Sequence, residues 1–422
     1  MKFTSLVLST LMLGQMAFAQ NAHKCASHEY LKLQDALNPG LEQQIKNLAQ
    51  FQYKKTRATV VYIPVVFHVV YKNAAENLTD NYINAQIDQL NMCYGRTNSD
   101  TTNMRAVFQP IVGKAKIQFI LDKIVRVSTT QTSFDAGGIA PFTGSDQVKY
   151  TASGGSDAQM PTQKLNVWSC DLKLDGSDGL IGYAYPPPGL PNWGGQGNTN
   201  PAIDGVVMDY LDIGGPLKQP KGYVYGFRGK SLVHEVGHYL GLRHIWGDDG
   251  GACFGQMGYE DDGITDTPDQ ADQSPDNCDK VINSCTQASD KPDMVENYMD
   301  YSSANCQNSF TKGQVTLMEN VLATIRTTVK VPTSIVDVDA PEQVIVYPNP
   351  VMDIVNMAIT GFTSDKGVIT ISNSLGQVVK QLNVNKSNDI QSVSVADLSK
   401  GLYIIQLSVD HKNLFTQKLI LQ

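Results

Sequence analysis

The stretch HEVGHYLGLRH (234–244) places three histidines and a glutamate within eleven positions of a 422-residue chain that holds only seven histidines. Around it, Leu232, Val233, Val236, Tyr239, Leu240 and Leu242 supply the apolar positions of a helix. On a helix His234 and His238 lie about one turn apart, so their imidazoles leave the same face. Gly241 suits a chain reversal, because glycine takes a positive φ without steric cost. The reversal returns His244 toward the first two. Three imidazole nitrogens with one position left over make a catalytic zinc arrangement rather than a closed structural one. Zinc lowers the pKa of a coordinated water to about 7. Glu235, beside the first ligand, is placed to take that water's proton and pass it to a leaving amine. The alternative, a surface helix that merely carries histidines, accounts for one i, i+4 pair. It does not account for the pair, the glutamate, the glycine and the third histidine in register. Ser231, with Glu235 close to capping-box spacing, is expected to cap the helix.

Outward from this helix the chain reads as an α/β half followed by an irregular half. TVVYIPVVFHVVY (59–71) is a long apolar, β-branched run and predicts a buried strand. TDNYINAQIDQLNMCYG (79–95) spaces Ile83, Ile87, Leu90 and Tyr94 on one helical face, with Thr79 or Asp80 placed to cap it. KIQFIL (116–121), LNVWSC (165–170) and GVVMDY (205–210) predict further strands of a mixed sheet. YPPPGLPNWGGQGNTNP (185–201) is a loop, 245–310 is loop-rich, and KGQVTLMENVLATIR (312–326) closes the body as an amphipathic helix. Residues 58–330 thus form one unit. After a linker at 331–339, residues 340–422 carry seven short alternating runs, the pattern of a small all-β sandwich.

The N-terminus predicts export. Met1-Lys2, a mostly apolar run over 3–16 and AFA (17–19) read as a signal peptide at 1–19, too short to span a bilayer comfortably. Residues 20–57 end in YKKTR and read as a removable pro-segment, the alternative being a helical extension of the main body. No other stretch is apolar enough to cross a membrane. A net charge of -8 without a basic patch excludes a nucleic-acid partner. Seven cysteines fit an oxidising compartment, and their odd number leaves at least one unpaired or intermolecular. Cys253, Cys278, Cys285 and Cys306 share the loop-rich region, and four cysteines allow three pairings. Cys93 and Cys170 either pair or remain two buried thiols. The carboxylates crowded between Asp248 and Asp293 repel one another. Either a hard cation such as calcium neutralises them, without EF-hand spacing, or the loop is simply solvated.

HEVGHYLGLRH, followed in order by IWGD (245–248), DGITDTPDQ (262–270) and ENYMDYS (296–302), resembles the pappalysin family of metzincin metalloproteases, its small bacterial members included. The resemblance covers about 64–314. It implies a zinc endopeptidase with an α/β upper subdomain, an irregular lower subdomain and a horizontal cleft between them. His234, His238 and His244 would be the zinc ligands and Glu235 the general base and acid. Met299 would be the Met-turn residue beneath the metal. Tyr301 matches a tyrosine that stabilises the oxyanion in similar enzymes, its alternative being a structural tyrosine. The resemblance further implies calcium ligands among Asp262, Asp266 and Thr267, and the disulfides Cys253–Cys285 and Cys278–Cys306. HKCASHEY (23–30) stands where bacterial relatives carry a cysteine-switch-like segment, with Ala26 in place of the usual glycine. The Cys25 thiolate would then hold a zymogen latent until cleavage near Lys54–Arg57; the alternative is a stray exposed thiol. Some relatives prefer arginine or lysine after the cut through an acid just beyond the Met-turn. SSAN (302–305) has none, so that preference is not carried over.

VYPNPVMDIVNM (346–357), ISNSLGQVV (371–379), LSKGLYIIQL (398–407) and the final KLILQ resemble the sorting domain of the type IX secretion system. This implies passage through the periplasm and outer membrane of a Gram-negative bacterium, then release or surface attachment. The expected partners are the secretion machinery and protein or peptide substrates. The competing reading of this domain is a substrate- or glycan-binding module. For the whole chain the expectation is a secreted zinc endopeptidase made as a zymogen. The alternative is an exported binding or adhesive protein with an inactive protease fold, which loss of Glu235 or of a ligand would have favoured; none is lost.

Overall fold

The computed structural model describes residues 60–136, 146–193, 197–215, 229–247, 253, 262–285 and 291–331, and in the C-terminal part 343–347, 349–351, 353–360, 367–384, 390–409 and 412–421. The proposed signal peptide, the pro-segment with Cys25, and all of the linker but Val331 lie outside the described residues.

The elements of the first body are β1 (Val61–Tyr71), α1 (Asp80–Tyr94), β2 (Ile117–Ser128), β3 (Phe134–Asp135), β4 (Leu165–Cys170), β5 (Leu172–Lys173), β6 (Gly182–Ala184), β7 (Val206–Asp209), α2 (Lys230–Tyr239) and α3 (Lys312–Thr324). The main sheet runs β2-β1-β4-β7-β6, parallel except for β6, which pairs antiparallel with β7 at the edge. A strand covered on both faces has to be apolar nearly throughout, which is why β1 shows no alternation. Its Ile63, Val65, Phe67 and Val69 face the helices with Ile83, Leu90, Val233, Val236, Leu317 and Val321. Val70 faces the opposite layer with Trp168, Cys170 and Tyr183. Each such fully buried side chain contributes about 1.5–3 kcal/mol, so a one-residue slip of β1 is strongly opposed. Pro64 lacks an N–H; it sits just before the register shift at Val65/Val66 and outside the β4 pairing, where that donor is not needed.

β2 is longer than its apolar core KIQFIL, because pairing with β1 carries it on to Ser128 as a half-exposed edge strand. β6 was not visible in the sequence, since three residues are too few to show a period. Ser231 does not cap α2: the N-cap is Gly229 at φ +71°, and the Ser231 hydroxyl donates to Asp212 Oδ2 at 3.1 Å. Gln86 of α1 fixes that entry by donating to Gly229 O and accepting from Gly214 N–H and Gly215 N–H. Thr79 occupies the cap position of α1 without a side-chain cap bond. Cys93 and Cys170 are two buried free thiols, while Cys253–Cys285 and Cys278–Cys306 are bonded.

His68, on β1, is a core histidine. It stacks on Trp168, and its ring nitrogens meet Ser156 Oγ at 2.8 Å and Asn166 Oδ1 at 2.9 Å. Burial lowers its pKa to about 4.

The second body is all β: β8 (Gln343–Tyr347), β9 (Ile354–Thr360), β10 (Gly367–Asn373), β11 (Val378–Val384), β12 (Ile390–Ser394), β13 (Gly401–Val409) and β14 (Lys412–Leu421). They form antiparallel sheets β11-β10-β13-β14 and β12-β9-β8 around Met357, Ile371, Ile405, Leu407 and Leu419. Among the described residues no helix is long and apolar enough to cross a membrane.

Asp212 gives a pH test of the α2 entry. Burial raises its pKa from 3.8 to about 8. Between those values the unfolded chain has released a proton that the folded chain keeps, so this group's contribution falls as pH rises. Asp212→Asn should therefore raise the melting temperature at pH 8, by roughly 2–4 °C for each kcal/mol recovered, and have little effect at pH 4. Thermal melts of both proteins across this range check it.

Candidate active site

α2 delivers its two histidines on one face, and the turn that ends it delivers the third. Leu242 N–H donates to Gly237 O at 2.9 Å and Gly241 N–H to His238 O at 2.8 Å, the paired bonds of a Schellman ending with Gly241 at φ +95°. A Cβ on Gly241 would stand 2.5 Å from Leu190 Cδ1. From the loop after β6, Asn192 Nδ2 and Trp193 Nε1 both donate to Gly241 O at 2.9 Å. The 185–201 loop thus braces the reversal that the third histidine depends on.

The result is a buried triangle. The Nε2 atoms of His234, His238 and His244 are 3.1, 3.1 and 3.2 Å apart. His234 Nδ1 lies 2.7 Å from Tyr298 O and His238 Nδ1 2.8 Å from Leu242 O. A carbonyl only accepts, so both Nδ1 atoms carry the proton and both Nε2 atoms present lone pairs. His244 is held from the side by Trp246, stacked at 4.4 Å with 2° between planes. Lone pairs facing one another at this distance repel unless a cation stands among them. Zn–N bonds of about 2.0–2.1 Å at tetrahedral angles put ligand nitrogens about 3.3 Å apart, close to the spacing found. The donor set therefore fits zinc. Among the described residues this is the one cluster of three histidine, cysteine or carboxylate ligands close enough to share an ion.

Glu235 is buried beside the triangle and lines a cleft with Ile181, Ser231, Asp300, Tyr301 and Gln307. A Cβ on Gly182 of β6 would lie 3.1 Å from Glu235 Cγ, so the antiparallel edge strand runs directly past the glutamate. Met299 is fully buried below α2. Its Sδ fills the space over Gly237, where a Cβ would come within 2.5 Å of the sulfur. Tyr301 sets its ring 4.9 Å from His244 and 5.8 Å from His234. The turn carrying Met299 and Tyr301 is fastened at both ends. Arg105 grips Glu296 with two hydrogen bonds of 2.8 and 2.7 Å. Asn297 and Gln314 exchange amide bonds at the start of α3, and Asn297 Oδ1 also accepts from Met299 N–H.

The structure thus brings together His234, Glu235, His238, His244, Met299 and Tyr301. Asp262 and Thr267 touch each other, the threonine hydroxyl lying 2.8 Å from Asp262 Oδ1, whereas Asp266 Oδ2 accepts from Gly313 N–H at the start of α3. Sequence reasoning missed the packing role of Gly237, the edge strand at Gly182–Ala184, the bracing pair Asn192 and Trp193, and the Arg105–Glu296 clamp. Only Gly237 carried a signal, as a glycine in mid-helix, where its cost needs a reason.

Comparison with known proteins agrees with this geometry. Residues 221–323 match the family profile described as pregnancy-associated plasma protein-A, a peptidase family, and residues 345–422 match a secretion system C-terminal sorting domain. The chain is similar to mature mirolysin of Tannerella forsythia, solved with a cleaved peptide, at 36% identity over 65% of this chain and 97% of that one, TM-score 0.55. It is similar to a promirolysin mutant from the same organism at 32% identity over 73% and 97%, TM-score 0.60. Extracellular metalloproteases of Arthroderma benhamiae and Trichophyton verrucosum are 27% identical over 279 residues, 66% of this chain and 78% of theirs.

Gly237→Ala should force either α2 or Met299 to move. Overpacking of this kind costs about 1–3 kcal/mol. The expected result is a lower midpoint in urea and weaker zinc binding in competition with a chromogenic chelator. Shortening the obstructing side chain in Gly237→Ala/Met299→Ala should recover part of the zinc affinity.

Proposed function

The chain belongs to the pregnancy-associated plasma protein-A family of peptidases, and we propose that Glu235 moves the protons of peptide-bond hydrolysis at the His234–His238–His244 site. It is a secreted zinc-dependent endopeptidase made as a zymogen. The observation that carries this reading is the buried triangle of imidazole nitrogens with Glu235 at its open side. Its sorting domain marks it as a secreted or cell-surface protein of a Gram-negative bacterium that uses type IX secretion.

Zinc, when bound, supplies Lewis acidity to the attacking water and the scissile carbonyl. The remaining work falls to the chain. β6 is an antiparallel edge strand beside Glu235, and an extended substrate can add to it as a further strand. That pairing holds the scissile carbonyl at the cleft. Glu235 takes a proton from the attacking water and returns one to the leaving amine, whose departure as a neutral group completes the cleavage. The Tyr301 hydroxyl, on a ring packed against His244, is proposed to donate to the oxygen that gains charge in the transition state. Tyr298 O and Leu242 O keep the two α2 imidazoles oriented.

Three further assignments belong to this proposal. Units of 58–330 and 340–422, joined by a linker at 331–339, are supported by the two separate cores. Calcium bound near Asp262, Asp266 and Thr267 would relieve the crowded carboxylates, and Asp266 Oδ1 is buried without a hydrogen bond among the described residues. Cys25 as the latency ligand is supported by its place in the pro-segment and by the promirolysin match, which covers 73% of this chain against 65% for the mature form.

Glu235→Ala should retain one zinc and lose about 10²–10⁴-fold in kcat on peptides the wild type cleaves. Chelation should abolish cleavage and added zinc restore it. Mass spectrometry of a peptide library with metal analysis reads both; wild-type cleavage that survives chelation would rule the site out. Cys25→Ser should raise the activity of the uncleaved chain, and an uncleaved variant as inactive as its parent would end the switch assignment.

A further inference from the structure

Lys230, the first residue of α2, is in an expensive place. A cation at a helix N-terminus opposes the helix dipole, and the side chain is buried, with only 4% of the residue exposed. Its ammonium is nevertheless fully used. Nζ donates to Asp100 Oδ2 at 2.6 Å, to Ala304 O at 2.7 Å and to Gln307 O at 2.5 Å. Three donors meet three acceptors, and two of the acceptors are backbone carbonyls of the segment beyond the Met-turn.

That segment forms one wall of the catalytic cleft. Gln307 lines the cleft opposite Ser231, His234 and Glu235, with Asp300 and Tyr301 beside it and Ile181 on the strand side. Gln307 spends both amide N–H groups on Asp300 O at 2.7 Å and Ser302 O at 3.1 Å, so the wall is rigid within itself. Cys306, the neighbour of Gln307, is tied by its disulfide to Cys278. The distance from this wall to the catalytic helix is fixed where Lys230 crosses between them.

We propose that Lys230 is a positioning residue that sets the width of the side-chain pocket beside Glu235, and thereby which substrate side chain is accepted next to the scissile bond. It touches neither substrate nor the reacting atoms; it acts through Gln307. The inference rests on the peptidase reading and goes beyond it, because it assigns specificity to a residue on the helix side of the pocket.

The test compares the activated, zinc-loaded protein with its Lys230→Met and Lys230→Arg variants on peptides that vary one position at a time around the cut. Lys230→Met keeps the length of the side chain and removes the tether. At one position only, the ranking of large against small side chains should change by about fivefold or more, with KM for the preferred peptide up about tenfold and kcat within about twofold. Lys230→Arg, which can still reach the carbonyls, should restore the ranking. In a Glu235→Ala background the same peptides should show the same reordering of Kd, a readout independent of turnover. An unchanged ranking, or a uniform loss at every position, would overturn the proposal. If Lys230→Met does not melt cooperatively, Asp100→Asn replaces it; that change removes one partner of the ammonium and should shift the same ranking to a smaller extent, and an unshifted ranking overturns the proposal equally. Failure of the wild type to cleave any peptide would instead remove the peptidase reading.

Discussion

Three imidazole nitrogens held 3.1–3.2 Å apart in a buried site are the constraint on which the rest of the first body depends. Such a cluster is repulsive on its own account and becomes favourable only around a cation, so the protein has to hold it by other means before the metal arrives. It does so with a helix, a Schellman ending and two backbone carbonyls. The helix supplies one turn of spacing, the ending supplies the return of His244, and Tyr298 O and Leu242 O fix the tautomers. Helix and ending are in turn braced by segments distant in sequence, Asn192 and Trp193 on Gly241 O and Met299 beneath Gly237, while Trp246, two residues on, stacks against His244. Binding of zinc then returns free energy to the fold, because a preformed site in the folded chain has no equal in the unfolded one.

The cleft follows from where the sheet stops. Among the described residues β6 is the one antiparallel strand of the main sheet and its outermost one on that side, and it passes so close to Glu235 that a Cβ on Gly182 would stand 3.1 Å from Glu235 Cγ. An edge strand is a liability in a protein with no use for it. Here it faces the proposed acid and base, so backbone pairing and proton transfer are brought to the same few ångströms. The opposite wall has little regular structure. It is held by specific polar contacts instead: the Arg105–Glu296 pair, the Asn297–Gln314 amide exchange, the Lys230 tether and the Cys278–Cys306 disulfide. Two disulfides cross-link this half and so restrict its unfolded chain.

Much of this was legible in the sequence, and the reasons for what was not are physical. α1, α3 and the seven-stranded sandwich announce themselves by period, β1 by a long apolar, β-branched run, and the metal ligands by residue type at fixed spacing. Both disulfides agree with the pairing implied by family resemblance, which four cysteines alone did not decide. The α2 cap was misjudged because Gln86, far away in sequence, chose Gly229 as the helix entry. β6 escaped because a three-residue strand has no period to read. Lys230 escaped because its meaning lies in the carbonyls of Ala304 and Gln307, and a sequence shows no backbone. Local chemistry is written in the string; tertiary partners are written only in the fold.

Zinc-edge X-ray absorption on the mature, metal-loaded protein reads the coordination of this site directly. The triangle of imidazoles should give one zinc per chain, with three imidazole nitrogens at about 2.0–2.1 Å and one lighter oxygen scatterer completing four-coordination. A spectrum showing sulfur at about 2.3 Å, fewer than three imidazoles, or zinc that persists unchanged after His244→Ala would contradict it.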